Sequence, residues 1–412
     1  MKDIQPLCFT LSNGVRLVYL HKSSQVSHLG FTFLAGSKFE EENKEGLAHF
    51  LEHCVFKGTS KRKALQVLSR LDDVGGELNA FTAKEEICLH ASFTKQYTAR
   101  AIDLLADISI NSVFPENEML KEKEVILDEL NSYLDSPSDK IFDDFEAHLY
   151  KNHPLGNNIL GTKKSVKSFK RSDLQHYVST HFTADNLVVS YVGSYSKAKL
   201  LSLLESALET LPQSAIRPAY DPIGAYAPFN IRTKEANYQS HAVIGGMAPS
   251  YLDEERRGMG LLINVLGGPA LNSRLSLAIR EKHGLAYAVD ASYTSFSDTG
   301  FWSIYLGTDP KNIDQAVDLA RKELSKICIK GLSSAQLHRA KQQYKGHMAL
   351  GMDSNMGLML GLGKSLLAFN QIDTIKEIHE GIDRLTVKEL MDIANKYFHP
   401  ETLSTLIFDC KK

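Results

Sequence analysis

The sequence predicts an α+β fold made of two duplicated domains. A chain of 412 residues exceeds what one hydrophobic core usually organises, and this favours two domains of similar size. Two stretches of the first half also return in the second half: residues 174–187 resemble 390–403, and residues 28–40 resemble 241–253. Because both pairs keep their order and spacing, we interpret the chain as two copies of one folding unit.

A change of composition marks the boundary between the two copies. Residues 212–228 contain prolines spaced through small and aromatic residues, a composition typical of a linker. We therefore expect an N-terminal domain at 1–211 and a C-terminal domain at 229–412.

The first domain alternates strand and helix patterns. Asn13-Gly14 between two apolar runs is a strong turn signal and predicts a β-hairpin over 7–21. After Pro137 we expect two further helices and then a buried strand at 186–192, where the run is apolar. The patterns between these points predict, in order, a strand at 27–34, helices at 46–56 and 61–74, strands at 77–82 and 87–93, and helices at 98–112 and 116–134.

Late in the second domain, methionines and glycines recur together. This pattern predicts a buried helix that packs closely on a neighbouring element, because glycine allows close approach and methionine fills irregular gaps. The residues concerned are Met352, Met356, Met359, Gly357, Gly361 and Gly363.

Composition excludes several classes of partner. With 47 Lys and Arg against 49 Asp and Glu, the net charge of −2 gives no general attraction to nucleic acid or to an anionic membrane surface. No apolar run approaches the roughly 20 residues that a membrane span needs, and the N-terminus lacks the pattern of a signal peptide. The five cysteines are scattered and indicate reduced thiols. We expect a cytoplasmic protein without a nucleic-acid or membrane partner.

The predicted helix at 46–56 carries the residues of a metal site. On a helix, His49 and His53 lie one turn apart on one face, and Glu52 flanks the same face. Two neutral imidazoles suit zinc, and a neighbouring carboxylate can accept a proton from water. The order H-x-x-E-H is the inverse of the commoner H-E-x-x-H motif of metallopeptidases. By themselves, the two histidines could also be ordinary surface or core residues.

A catalytic zinc site needs a third protein ligand, and the predicted helix at 116–134 offers two candidates. Glu122 and Glu129 are two helical turns apart and therefore share one face of that helix. Spacing alone leaves a second interpretation open, in which both are solvent-exposed charges.

The second copy lacks the polar residues of the motif. When the two copies are aligned through 28–40 and 241–253, the motif positions fall on Leu262, Val265 and Leu266. Since one copy of the fold is predicted to form with apolar residues there, the polar residues of the first copy are better explained by function than by folding.

Four motifs in order along the chain carry a resemblance to a known family. They are H-F-L-E-H at 49–53, G-E-L-N-A-F-T at 76–82, E-K-E-V-I-L-D-E at 122–129 and R-E-K-H-G-L-A-Y at 280–287. With them the chain resembles the pitrilysin/insulinase family of inverted zinc peptidases, and within it the short two-domain branch that contains the mitochondrial processing peptidase β subunit and bacterial relatives. The resemblance implies two domains, each a mainly antiparallel sheet covered by helices, that form half of a clamshell chamber.

The resemblance also implies a role for each residue of the predicted metal site. His49, His53 and Glu129 would bind one Zn²⁺ per chain. Glu52 would be the general base, and Glu122 would orient one of the ligands.

The same resemblance implies two groups of substrate-binding residues. Asn79 and Ala80 would lie on a strand that pairs with an extended peptide, which explains tolerance of many peptide sequences. Arg280 and Tyr287 would reach the active site of a second copy, so the protein is expected to be a homodimer whose sites are completed in trans. Without the resemblance, Asn79 is an ordinary strand residue, Arg280 a surface residue and Tyr287 a packing aromatic.

Together these features predict a zinc endopeptidase that cleaves unfolded peptides or presequences inside an enclosed chamber. Two alternatives stay open: a catalytically silent core or scaffold subunit, and an active subunit that requires a separate inactive partner. The intact His49, Glu52, His53 and Glu129 argue against a silent subunit. The sequence specifies neither the physiological substrate nor the cleavage-site preference.

Overall fold

The computed structural model describes residues 5–213 and 222–410. The chain divides into two compact units, and each unit includes a segment from the other half of the sequence. One change of unit falls inside the predicted linker 212–228, of which residues 214–221 lie outside the described residues. The first unit comprises Met1–Asn131, Asn157–Asp221 and Gly351–Ile372. The second unit comprises Ser132–Gly156, Pro222–Leu350 and Asp373–Lys412.

The elements of the first half follow the predicted order. Between Pro137 and the strand Leu187–Gly193, all of which the structure describes, there are three α-helices where the sequence predicted two. The last two are separate because Phe169 and Lys170 interrupt the helical backbone. The elements are β1 Leu7–Thr10, β2 Arg16–His21, β3 Val26–Phe33, α1 Leu47–Cys54, α2 Ala64–Asp72, β4 Glu77–Thr82, β5 Ile87–Thr94, α3 Thr98–Ile110, α4 Glu116–Leu134, α5 Pro137–Leu149, α6 Lys163–Ser168, α7 Arg171–His181, β6 Leu187–Gly193 and α8 Lys197–Leu208.

The first unit is built on a six-stranded sheet in the order β1-β2-β6-β3-β5-β4 among the described strands. All neighbours are antiparallel except β2 and β6, which are parallel. The Asn13-Gly14 turn forms as predicted: Gly14 has φ of 95°, and Leu11 N–H donates to Val15 O at 2.8 Å. The strand β4 lies at one end of the sheet, so one of its backbone edges has no neighbour among the described strands.

The second half begins after the predicted linker, and its elements repeat this plan. They are β7 Asn230–Glu235, β8 Ser240–Ala248, α9 Arg256–Gly267, β9 Ala286–Ser295, β10 Gly300–Thr308, α10 Ile313–Lys330, α11 Ser334–Gly351, α12 Asn355–Phe369, α13 Ile375–Arg384, α14 Val387–Tyr397 and β11 Ser404–Cys410. The sheet order is β7-β11-β8-β10-β9 in the described chain, again with one parallel pair, β7 with β11. This order matches β2-β6-β3-β5-β4 of the first unit, which confirms the predicted duplication.

Each sheet is covered on one face by a helix from the other half of the sequence. In the first unit, Met359 of α12 is buried against Leu20 and Val192. The contact is close, since a Cβ on Gly30 of β3 would lie 2.5 Å from the Met359 sulfur. In the second unit, Phe145 of α5 packs in the same way on strands β8 and β11.

The predicted close packing of the methionine and glycine segment is thus correct for part of the segment. Met359 and Gly363 are buried, whereas Met356 is 40% exposed and Gly361 would have open space beside a Cβ. Met352 lies before α12, in the turn that follows α11. Among the described residues, no helix is both long enough and apolar enough to cross a membrane.

Candidate metal centre

The start of α1 is fixed by the backbone geometry of the residue that precedes it, Gly46. Gly46 has φ of 92°, and a Cβ there would lie 2.7 Å from Leu160 O, so glycine is required on two counts. The buried Glu40 carboxyl group accepts hydrogen bonds from Gly46 N–H at 3.0 Å and Ala48 N–H at 2.8 Å. These bonds satisfy backbone donors at the start of a helix, where no earlier carbonyl is available.

The composition of α1 then decides which side chains face outward. Its buried face packs in the core of the first unit and consists of Leu47, Ala48, Phe50, Leu51 and Cys54. The remaining side chains of the helix, His49, Glu52 and His53, are only partly buried.

The helix α4 supplies carboxylates to this partly exposed face. Glu129 Oε2 lies 3.8 Å from His49 Nε2 and 3.8 Å from His53 Nε2. The three ligand atoms lie within 4.8 Å of one another, and they form the one such cluster found in the described residues. The structure therefore brings together the three residues that the resemblance implies as ligands.

The donor set fits a zinc ion, and so does the spacing of each histidine from Glu129. Zinc bonds to histidine nitrogen and to carboxylate oxygen are about 2.0–2.2 Å long, so two ligand atoms of one ion lie at most about 4.4 Å apart. Both distances to Glu129 satisfy this limit. The Glu129 side chain is 45% exposed, which leaves one side of the cluster open toward solvent.

The electrostatics of the cluster favour metal binding. Burial, with a smaller contribution from the neighbouring His53, lowers the pKa of His49 to about 4. The imidazole is therefore neutral near pH 7, the form that binds a metal. Burial also raises the pKa of Glu52, against the effect of hydrogen bonds from Thr82 of β4. A carboxyl group with a raised pKa is better suited to accept and then return a proton.

Glu122 lies behind the cluster and contacts one of the histidines. Its side chain is only 8% exposed, and Oε2 lies 3.1 Å from His53 Nδ1. Its other oxygen, Oε1, lies 2.7 Å from Lys57 Nζ. Glu122 thus lies between a predicted ligand, His53, and a lysine.

Sequence reasoning missed three residues around the metal cluster. Lys57 and Thr82 contact carboxyl groups there, and Glu40 accepts hydrogen bonds at the start of α1. For Lys57 a signal existed, because it stands four residues after His53 and the helical turns continue through Val55–Lys57. Thr82 closes the predicted substrate strand, but its contact with Glu52 depends on how β4 packs on α1. Nothing in the local pattern marks Glu40, since it belongs to the loop that precedes the helix.

The predicted peptide-binding residues lie on the end strand of the first sheet. Asn79 of β4 is exposed and Ala80 is partly buried, in register with His90 and Leu89 of β5. The strand also contacts α1, so its free backbone edge belongs to the same unit as the metal cluster.

Arg280 and Tyr287 lie in the second unit and are accessible. Arg280 is in a short π-helix, Ser276–Glu281, and its side chain is 50% exposed. Tyr287 is 80% exposed near the start of β9, the end strand of the second sheet. In the same unit, Leu262 and Leu266 of α9 are completely buried in the core, as expected for a copy of the helix without ligands.

Two imidazoles and a carboxylate around one point, beside a half-buried carboxyl group, are the donor set of a metal-dependent hydrolase. Residues 16–163 match the family described as Insulinase (Peptidase family M16), and residues 168–344 match the family described as Peptidase M16 inactive domain. The chain belongs to the M16, or insulinase, family of peptidases. The resemblance drawn from the sequence is confirmed.

Individual relatives span nearly the whole chain. A protein of Bacillus subtilis (strain 168), named uncharacterized zinc protease YmxG, is 32% identical over 97% of this chain and 97% of its own. The mitochondrial-processing peptidase subunit beta of Bos taurus is 28% identical over 95% of this chain and 82% of its own. The crystal structure of a protease from Helicobacter pylori has the same fold, with a TM-score of 0.92 at 20% identity over 98% of this chain and 99% of that one.

Proposed function

We propose that the protein is a zinc endopeptidase of unfolded peptides, with one Zn²⁺ per chain held by His49, His53 and Glu129. The observation that carries the proposal is the convergence of these three ligand atoms within 4.8 Å, beside Glu52. Two imidazole nitrogens and one carboxylate are a catalytic zinc set, since three protein ligands leave a position open.

In this proposal the bound zinc supplies the Lewis-acid chemistry that polarises the scissile carbonyl and makes water acidic. Glu52 takes the proton of the attacking water and returns it to the leaving amine. Its burial and its hydrogen bonds with Thr82 keep the carboxyl group at one place between α1 and β4. Glu122 accepts the Nδ1–H of His53 and so directs Nε2 of that ring toward the metal.

The free edge of β4 is the proposed substrate site. An extended peptide can add to it as a further strand, with Asn79 and Ala80 contacting the peptide backbone. Backbone pairing is indifferent to side chains, so many peptides would bind, but a peptide must be unfolded to pair. The enclosed chamber expected from the family resemblance would add selection by size.

We also propose that the enzyme is a homodimer in which Arg280 and Tyr287 of one copy act at the metal site of the other. Both side chains are accessible and both can donate to a developing oxyanion. The test mixes an inactive Glu52→Gln chain with an inactive Arg280→Ala, Tyr287→Phe chain. With statistical exchange, activity should recover toward about a quarter of the parent level. No recovery despite demonstrated exchange would mean that these residues do not act in trans.

A second candidate function is an active subunit that needs a different, inactive partner, because one relative is named as a subunit of a processing peptidase. The experiment that separates the candidates uses the purified chain alone with a quenched unstructured peptide. Cleavage that a chelator abolishes and added zinc restores supports the zinc endopeptidase. Zinc-loaded chain that cleaves only after a partner is added supports the second candidate, and a zinc-loaded chain inactive under both conditions supports a silent subunit.

A further inference from the structure

Among the described residues, Glu122 forms ion pairs with two side chains, His53 and Lys57. Lys57 ends the helical turn Val55–Lys57 that continues α1, so it is carried by the same element as His49 and His53. Its Nζ lies 2.7 Å from Glu122 Oε1, and its side chain is 25% exposed. Among the described residues, no hydrogen bond or ion pair joins Lys57 to His49, His53, Glu129 or the strand β4.

The Glu122 carboxylate is therefore held from both sides. Lys57 forms an ion pair with Oε1, and Oε2 lies 3.1 Å from His53 Nδ1. A carboxylate that is only 8% exposed is unstable without a hydrogen-bonded partner, and an ammonium group satisfies it more strongly than a neutral donor would. With Oε1 taken by Lys57, Oε2 is the oxygen that accepts the Nδ1–H of His53.

This arrangement matters because the other imidazole has no comparable support. Nδ1 of His49 is buried and has no hydrogen-bond partner in the described structure. Of the two rings, only that of His53 is held at Nδ1 by a described side chain, through Glu122 and its ion pair with Lys57. In metal sites, groups that hydrogen-bond to ligand histidines fix both the ring orientation and the nitrogen that carries the proton.

We infer that Lys57 is a positioning residue for the metal site, which acts through Glu122 on His53 and so raises the affinity for the metal. This inference rests on the proposed zinc site. For the variant without the Lys57 charge, the inference predicts a change in metal affinity opposite to the one that simple electrostatics predicts. Removal of a positive charge close to a dication should strengthen metal binding, whereas loss of the support for Glu122 should weaken it.

The test measures the zinc dissociation constant of the full-length protein by competition with a chromophoric chelator. For Lys57→Met we expect zinc binding weaker by about 10- to 100-fold, the usual effect of losing such a support. Lys57→Arg keeps the charge and the donors and should bind zinc within about threefold of the parent, a rescue that loss of packing alone does not predict.

Lys123→Met is the matched control. Lys123 is the neighbour of Glu122 in the sequence, but its Nζ donates to Lys167 O and Phe169 O instead. This variant removes one positive charge from the residue next to Glu122 on α4 and should bind zinc as tightly as the parent or slightly more tightly.

A double-mutant cycle keeps the inference testable even if Lys57→Met lowers stability. Glu122→Gln alone should weaken zinc binding, and adding Lys57→Met to it should change the dissociation constant little further, because both act through one carboxylate. Additive effects, or a Lys57→Met protein that binds zinc as tightly as the parent or more tightly, would overturn the role of Lys57. A parent protein that binds no zinc would instead overturn the proposed metal site, and the inference with it.

Discussion

Replacement of Glu52 by glutamine separates the chemistry of the site from its architecture. The two side chains have nearly the same shape, and glutamine keeps an oxygen that can accept the hydrogen bonds from Thr82. Glu52 is not among the clustered ligand atoms, so the variant should bind zinc as the parent does. It cannot accept the proton of water, and general-base contributions of about 10²–10⁴ in rate set the expected loss.

The magnitude follows from where Glu52 lies. Its carboxyl group is partly buried between α1 and β4, and burial raises its pKa, so the structure holds a proton acceptor at one place. We expect kcat for a quenched unstructured peptide to fall by at least about a hundredfold, with zinc content and unfolding curve unchanged. Thr82→Val, which removes one hydrogen bond to Glu52 but not the base itself, should give a smaller loss. A Glu52→Gln enzyme that retained the parent rate at equal zinc content would refute the assignment of the base.

Two further predictions concern stability. Met359→Ala should lower the free energy of unfolding by about 2–5 kcal/mol, because Met359 is completely buried against the first sheet. Met356→Ala, at a 40% exposed position of the same helix, should change it by under about 1 kcal/mol. Urea denaturation compares the two variants, and equal effects would contradict the packing of α12. Burial raises the pKa of Glu40 from 4.5 to about 8, so the stability due to its protonated form is present below pH 4.5 and is lost as the pH rises through 8. Relative to Glu40→Gln, the parent should therefore lose stability between about pH 5 and about pH 8, and parallel pH profiles of the two proteins would contradict this.

The sequence was sufficient for those parts of the fold that depend on local patterns. The hairpin at Asn13-Gly14, the strand β4 and the helix α4 could be placed because turn chemistry and apolar periodicity act over a few residues. The duplication was visible because both copies kept their order. The exchange of α5 and α12 between the units could not be seen, since nothing in an amphipathic pattern states which sheet a helix covers.

The candidate site shows the same division. His49, His53 and Glu52 share one helix, so their spacing alone predicts that they lie together. The position of Glu129 beside the two histidines depends on where a second helix, α4, is placed in the fold, which spacing does not predict. The choice of Glu129 over Glu122 as ligand came from the family pattern. The sequence does not identify Lys57 as a residue of the site, because a lysine on a helix is usually solvated. Its proposed role depends on an ion pair with a buried carboxylate from another element.

The metal ligands themselves are the central claim, and metal content measures it most directly. Purified protein should contain about one zinc per chain by elemental analysis, and His53→Ala and Glu129→Ala should each lose it while the chain stays folded. The exposed Glu124→Ala, on the same helix as Glu129, serves as the control and should keep its zinc. Stoichiometric zinc that survives both ligand substitutions would contradict the account.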